Sequence, residues 1–476
     1  MIDRTSASSE VDYWAPYVPA REMPWNLRRV VHLHRGAGFA ATWGELQRDL
    51  KDGPKASIDR LLAGKARADG QPKDFQATAA LLAERAIADA GASRLKVWWL
   101  YRMLYGPDPL TERLALLWHN HFATSNDKIR RLGKMHRQNE LFRRHARAPF
   151  GRLLNAVVRD PTLLIWLDAP SNRKGHPNEN LARELMELFT LGIGHYSEKD
   201  VKEAARALTG WTLTFVVDPN LMYAGGPPPP DGDFREDPAR HDDGEKTVLG
   251  RTGRLKGDEL VGLLLAQPAT AKRLAGRLCE QFFGEGAVSA DAVAALADGL
   301  RKHELDIGWG VATVLRSRAF FAEANLGSRV QGPAEYVVGA ARALERFEPG
   351  PSTLVLADWC ARLGQDLFYP PNVGGWPGGR QWISPQAMIG RANFAALVNG
   401  TLSRPPQPFD ALALAKRHGR GGDLRELIAF YGDLLLTGPR PDDRVAAVLG
   451  AKATLTADSA RRAVILILAS PEAQLA

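Results

Sequence analysis

The stretch PNENLARELMELFTLG, residues 177–192, decides the fold class. Pro177 and Asn178 are residue types that open helices, and Gly192 and Gly194 are types that stop them. Between them Leu181, Leu185, Leu188 and Leu191 recur every three or four positions, the period of one apolar helix face. This spacing predicts a helix over 179–191, and the same signals repeat on both sides. Downstream, Ser197 with Asp200 starts a helix over 198–208 that Gly210 ends. Upstream, Thr111 caps a helix over 111–122 in which Leu114, Leu117, Trp118 and His121 share a face. Further helices are predicted over 258–265, 269–283, 290–303, 308–316, 332–347, 423–436 and 457–468. No self-similar period of about 34 to 45 residues appears, which disfavours a regular solenoid. The expectation is a mainly α protein with a large, multi-helix, bundle-like body.

One segment breaks the helical pattern. Residues 212–217 are rich in β-branched types, Pro227 to Pro230 form a stiff run, and 246–249 is again strand-like. We read this as a small β-hairpin and Pro-rich insertion, a candidate lid and the most mobile ordered part from about Val217 to Lys246. The chain then divides into an N-terminal extension (1–26), an N-terminal helical part carrying the polar helix motif (27–211), the insertion (212–255) and a C-terminal helical part (256–476) packed as one body with 27–211.

Composition narrows the class. At 476 residues, 45% hydrophobic and 24% charged, the chain has the makeup of a folded globular protein and can bury a sizeable core. Cys279 and Cys360 are the only cysteines, which excludes a disulfide framework or a multi-cysteine metal site and fits a reducing compartment. The first thirty residues hold no apolar run behind a basic head, so the expectation is a cytoplasmic protein, or an exported one if a signal was removed. No membrane span is expected. The net charge of +8 concentrates between Lys128 and Arg147, where Glu140 alone opposes eight basic residues. Such a run could meet an anionic partner, or be a solvated helical face balanced by acidic neighbours.

Four clusters could carry chemistry. The helix over 179–191 sets Asn180, Arg183, Glu184 and Glu187 on one face, a set of groups suited to proton transfer or to a divalent metal; the plain alternative is an internally paired surface face. In WHNHF, residues 118–122, His119 and His121 diverge by about 200° on a helix, so they do not ligate together. His121 continues the apolar face as a core histidine, leaving His119, or His195 beyond the carboxylate helix, to face Glu184 or Glu187 as an acid–base partner. His241 and Asp242, in HDDG at 241–244, could be delivered by a loop, although a local turn before Gly244 explains them as well. Finally PPNVGGWPGGRQWI, residues 370–383, dictates a defined irregular loop, with Trp376 and Trp382 as flat apolar faces and Arg380 as a forked donor. It reads equally as a packed plug or a ligand platform. Phosphate-binding loops, nucleophile elbows, HExxH and dinucleotide fingerprints are missing from their expected contexts, so no nucleotide cofactor is expected.

Taken together, HLHRGAGF (32–39), WHNHF with Lys128, Arg159 to Pro161 with Leu167 and Asp168, 177–192, EAARALTGW (203–211), His241 and Asp242 with Lys246 and Thr247, and 370–383 resemble the bacterial family known as domain of unknown function 1800. The resemblance spans nearly the whole chain and implies a helical protein of no established activity. It also implies a protein partner, because members are often encoded beside sulfatase-like or phosphatase-like proteins of another uncharacterised family. His34 stands where the family usually shows a basic or apolar residue, which leaves the role of Arg35 open.

The functional expectation is a hydrolase or lyase, with Glu184, Glu187, His119, His195 and Arg183 as the acid–base and charge-stabilising groups. A divalent metal is an allowed cofactor. Asn180, His241, Asp242, Trp376, Arg380 and Trp382 would bind substrate, and 12 tryptophans favour a carbohydrate-like ring. The alternative is a non-catalytic scaffold for the neighbouring enzyme-like protein. Nucleic-acid binding ranks last, since the basic run lacks a recognised module.

Overall fold

In the computed structural model the described residues are 13–67, 69–89, 91–215, 230–347, 352–400 and 409–476. Among them are twenty-two α-helices and two small antiparallel sheets, so the protein is mainly α with a small β insertion. The helix Glu198–Ala207 opens on the reciprocal cap between Ser197 and Asp200 that the sequence signals. The helix Pro109–His121 starts earlier than expected. Asp108, not Thr111, is its cap, accepting from Thr111 N at 3.0 Å, because Pro109 fits the first helical position and carries no N–H to satisfy.

Four helices precede the first one the sequence reading names: Leu27–Ala37, Trp43–Leu62, Phe75–Ala88 and Ala92–Tyr105. The first is hidden from periodicity because nearly all of it is buried, polar residues included. Its polar side chains are satisfied one by one. His32 donates to the Phe320 carbonyl (3.0 Å), His34 pairs with Asp49 (2.7 Å), and Arg35 donates to the carbonyls of Leu435, Ala473 and Leu475. Arg35 is therefore a clamp between the first helix and the C-terminal residues. The second helix is broken by Gly53, whose φ of 84° precedes Pro54.

Strand Trp211–Phe215 pairs with Pro230–Glu236, and Lys246–Val248 with Arg251–Gly253. Most of the Pro-rich tip expected to act as a mobile lid, 216–229, lies outside the described residues. The hairpin is fastened to the body where Arg159 lies 5.0 Å over the Trp211 ring. One continuous apolar cluster runs from Tyr17 to Ala473 and includes the fully buried Trp98, Trp99 and Trp118. No helix among the described residues is long and apolar enough to cross a membrane. The basic run is partly neutralised in the fold: Lys128 pairs with Asp168 (2.8 Å), Arg143 with Glu112 (2.8 Å) and Glu140 (2.7 Å), and Arg147 with Asp108.

Candidate functional site

The polar helix motif does not run as one α-helix. Asn180–Glu184 is α-helical, and Leu185–Thr190 widens into a π-helix. Leu191 N and Gly192 N both donate back to the Met186 carbonyl (2.8 and 3.1 Å), and the Thr190 hydroxyl donates to the Leu185 carbonyl (2.6 Å). Gly192 then leaves the helix at φ 87°, where a side chain would strain the turn. A π-turn inserts an extra residue and re-aims the side chains beyond it, and such turns concentrate at functional sites.

Here Glu187 lies in the π-turn and Glu184 immediately before it. Glu184 and Glu187 are both half-buried. Burial, and after it the charge of Glu187, pushes the Glu184 pKa above the ordinary carboxylate range, with Arg183 opposing. Glu187 accepts a hydrogen bond from the Tyr196 hydroxyl at 2.7 Å, and burial together with that carboxylate raises Tyr196 to about 12. Arg273, on the helix Pro268–Phe283, donates to the Leu188 carbonyl (2.7 Å) and feels the charge of both Glu187 and Tyr196. Tyr196 and Arg273 are the neighbours that sequence reasoning missed. The signal for Arg273 is the polar spacing Arg273, Arg277, Glu280 opposite the buried Leu274 and Leu278.

The other expected members lie elsewhere. Arg183 turns away to a bidentate pair with Glu198 (2.8 Å twice) and a bond to Glu179 (3.0 Å), and not to Glu187. Asn180 is exposed and reaches Asp168 at 3.4 Å. His119 is fully buried, stacked on Trp376 (5.3 Å) and packed against Trp99, Phe142 and Phe368, and desolvation drives its pKa down to about 3. His195 lies in the exposed turn beside Ile193, which is 81% exposed. No hydrogen bond joins either histidine to Glu184 or Glu187 among the described residues. His121 is buried and donates to the Phe189 carbonyl (3.2 Å).

His241 and Asp242 form a closed turn. Asp242 holds Arg206 (2.8 Å) and the Gly244 amide (2.9 Å), and the Arg206 bonds hold its pKa down to about 2. His241 Nδ1 donates to the Thr209 carbonyl at 2.8 Å. The buried Lys246 ammonium caps the same turn through the carbonyls of Asp242 and Gly244.

The Trp loop forms one wall of a cleft of about 710 Å³, facing the end of the helix Pro268–Phe283 and the start of the helix Pro333–Ala343. Asn120 positions the loop: its Oδ1 accepts from Trp376 N at 2.6 Å, and a Cβ on Gly375, which sits at φ 89°, would collide with it. The Trp376 indole donates to the Asp366 carbonyl (3.0 Å), which fixes the ring over His119. Trp382 and Arg380 line the cleft, Arg380 exposed. Neither Glu184 nor Glu187 is among its walls, but Arg277, one helical turn from Arg273, is. No group of three or more His, Cys, Asp or Glu among the described residues is placed to hold a metal ion.

No curated protein and no solved structure matches the chain. A family described as "Protein of unknown function (DUF1800)" matches residues 32–475, from the buried His32 to the C-terminal segment that Arg35 clamps. The chain belongs to the DUF1800 family.

Proposed function

We propose that the protein is a hydrolase or lyase whose acid–base groups are Glu184 and Glu187, assisted by Tyr196, acting on a ring-bearing, carbohydrate-like molecule. The observation that carries this reading is the pair of half-buried carboxylates at the start of a π-turn, Glu184 just before it with its pKa raised by burial and by the charge of Glu187 within it. A carboxyl whose surroundings raise its pKa can serve as proton donor beside a second carboxyl that serves as acceptor. Glu184 is then the donor, since burial and the nearby charge of Glu187 favour its protonated form. Glu187, oriented by the Tyr196 hydroxyl, is the acceptor. Arg273, which feels the charge of Glu187, lies one helical turn, about 6 Å, from Arg277 in the wall of the Trp-loop cleft. The imidazole partners expected from sequence have no part in this version. A metal-assisted version would need ligands that the described carboxylates and histidines do not group together.

The test is Glu184→Gln and Glu187→Gln in the full chain, read by melting temperature and by complementation of a deletion strain. Each change keeps shape and removes charge, so the melting temperature should hold while function falls by roughly 10² or more. Full complementation by both variants overturns the assignment and moves the weight to a non-catalytic partner of a sulfatase-like or phosphatase-like protein.

A further inference from the structure

The floor of the Trp-loop cleft is a buried charge cluster. Glu335, in the first turn of the helix Pro333–Ala343, accepts from Arg329 Nη1 at 3.1 Å and pairs with the Arg113 guanidinium. The side chains of Arg113, Arg329 and Glu335 are only 1%, 7% and 9% exposed. Two fixed cations thus share one anion where little water remains to screen them. Burial pushes Glu335 upward, but Arg113 and Arg329 outweigh it and keep the carboxyl below its ordinary range, so it stays ionised and cannot relieve the excess further.

Hydrogen bonding points the same way. Among residues lining the cleft, Arg113 Nε and Nη2, Arg277 Nε, Arg329 Nε and the Trp382 indole N–H are buried donors without an acceptor. Buried donors of this kind are costly unless something accepts from them. On the acceptor side only Glu335 Oε2 stands unmatched, and it already lies 2.7 Å from Arg329 Nη2. Of the other two glutamates in the walls, Glu280 is paired and Glu285 is exposed. Glu280 takes Arg277 at 2.9 Å, and Glu285 lies under Gly379, where a Cβ would come within 2.9 Å of its carboxylate. Arg380 at the rim has no carboxylate partner among the described residues.

Shape adds the second requirement. Trp382 packs against Gly332 so closely that a Cβ there would meet the indole at 2.8 Å. The ring is held in place at the cleft wall, and a volume near 710 Å³ suits a molecule of one or two rings.

We propose that this cleft binds a sugar-sized oxyanion: a ring-bearing molecule whose carboxylate, sulfate or phosphate oxygens accept from Arg113, Arg329 and Arg380 while its ring lies beside Trp382. Guanidinium forks match each of these groups through paired N–H donors. Binding in this cleft does not rest on the acid–base reading given above.

The experiment titrates the purified full chain with glucuronate, glucose 6-sulfate, glucose 6-phosphate and glucose, following heat of binding and melting temperature. At least one anionic sugar should bind saturably and raise the melting temperature, with glucose at least tenfold weaker; which of the three is tightest identifies the oxyanion. Arg380→Gln, at an exposed position that folding does not need, should weaken that binding at least tenfold. Arg113→Lys, which keeps the charge and loses the fork, should do the same if it folds. The proposal is overturned if none of the anionic sugars binds, if glucose binds equally well, or if Arg380→Gln and Trp382→Phe both leave the affinity unchanged. Glu184→Gln and Glu187→Gln taken together separate the two readings. Loss of complementation with no anionic sugar bound by the wild-type chain keeps the acid–base assignment and removes this one, whereas full complementation with binding intact does the reverse.

Discussion

Asp160 caps the helix Pro161–Trp166 through a single oxygen. Oδ1 accepts from Thr162 N (3.1 Å), Leu163 N (3.4 Å) and Gln138 Nε2 (2.8 Å). Burial nevertheless outweighs these bonds and pushes its pKa up to about 6. A carboxyl that holds its proton more tightly folded than unfolded contributes stability that is full below the unfolded value, near 4, and declines as pH rises through about 6. Asp160→Asn keeps Oδ1 and all three bonds while removing the charge. It should raise stability at pH 8 by about 1–3 kcal/mol, with the gain vanishing near pH 4; melting curves across that range check it, and a lower melting temperature at pH 8 would contradict it. Asp49 is the opposite case. Burial pushes it up, but the bonds from His34 and Arg48 win and hold it down to about 2, so its contribution is present above pH 4 and lost as pH falls toward 2. At this scale the sequence showed which residues were polar at helical spacing, and Glu184 with Glu187 was legible for that reason. It could not show their partners, because Tyr196 arrives across a turn and Arg273 from a helix some eighty residues away. Nor could it show that His119 is enclosed: on Pro109–His121 both the apolar face and much of the opposite one are buried, so period alone does not say which side meets water.

Among the elements, caps and stops read well from local residues, since Ser197, Gly192 and Gly210 act on their own backbone. The π-turn was not legible. Apolar residues at 181, 185 and 188 fit an α-helix equally well, and the burial of Met186 and Phe189 in the core is a tertiary fact that no local period reports. Thr190 is its internal tie, through the bond to the Leu185 carbonyl. Thr190→Val keeps volume and branching and removes that bond, so it should cost about 1 kcal/mol of stability. Its larger effect should be on function, because relaxation toward α geometry swings Glu187 away from Tyr196 by up to about 100°. The check is complementation beside melting temperature. A functional loss much larger than the stability loss places the π-turn in the mechanism, and a loss proportional to stability makes it a packing detail.

Across the whole molecule, the two ends of the matched region are joined in one place. Arg35 donates to Ala473 O (3.0 Å) and Leu475 O (2.9 Å), and the backbones of Arg329 and Gln331 pair with Ala476 and Gln474. Arg329 in turn holds Glu335 on the cleft floor. The chain is therefore closed through the same segment that shapes the candidate binding site, a connection between residues more than four hundred positions apart that no local pattern reports. Arg35 is buried, and desolvation followed by the charge of Arg329 pushes its pKa down to about 10, yet it stays charged at neutral pH. Removing that charge by Arg35→Gln strands several carbonyls, and bonds to a charged donor are worth about 1.5–3 kcal/mol each. A loss of at least about 3 kcal/mol is expected. Deleting residues 473–476 should cost a similar amount, because it removes two of the three acceptors along with the pairing to 329–331. If one clamp underlies both losses, the double variant should be barely worse than either single one, since contacts in one network do not add. The deletion should also weaken binding of the anionic sugar, as Arg329 loses the backbone partner that positions it. Denaturant melts of the four proteins, with titrations on those that remain folded, decide the matter. Strictly additive losses, or an unchanged affinity after the deletion, would show that closure of the chain and construction of the cleft are separate properties of this fold.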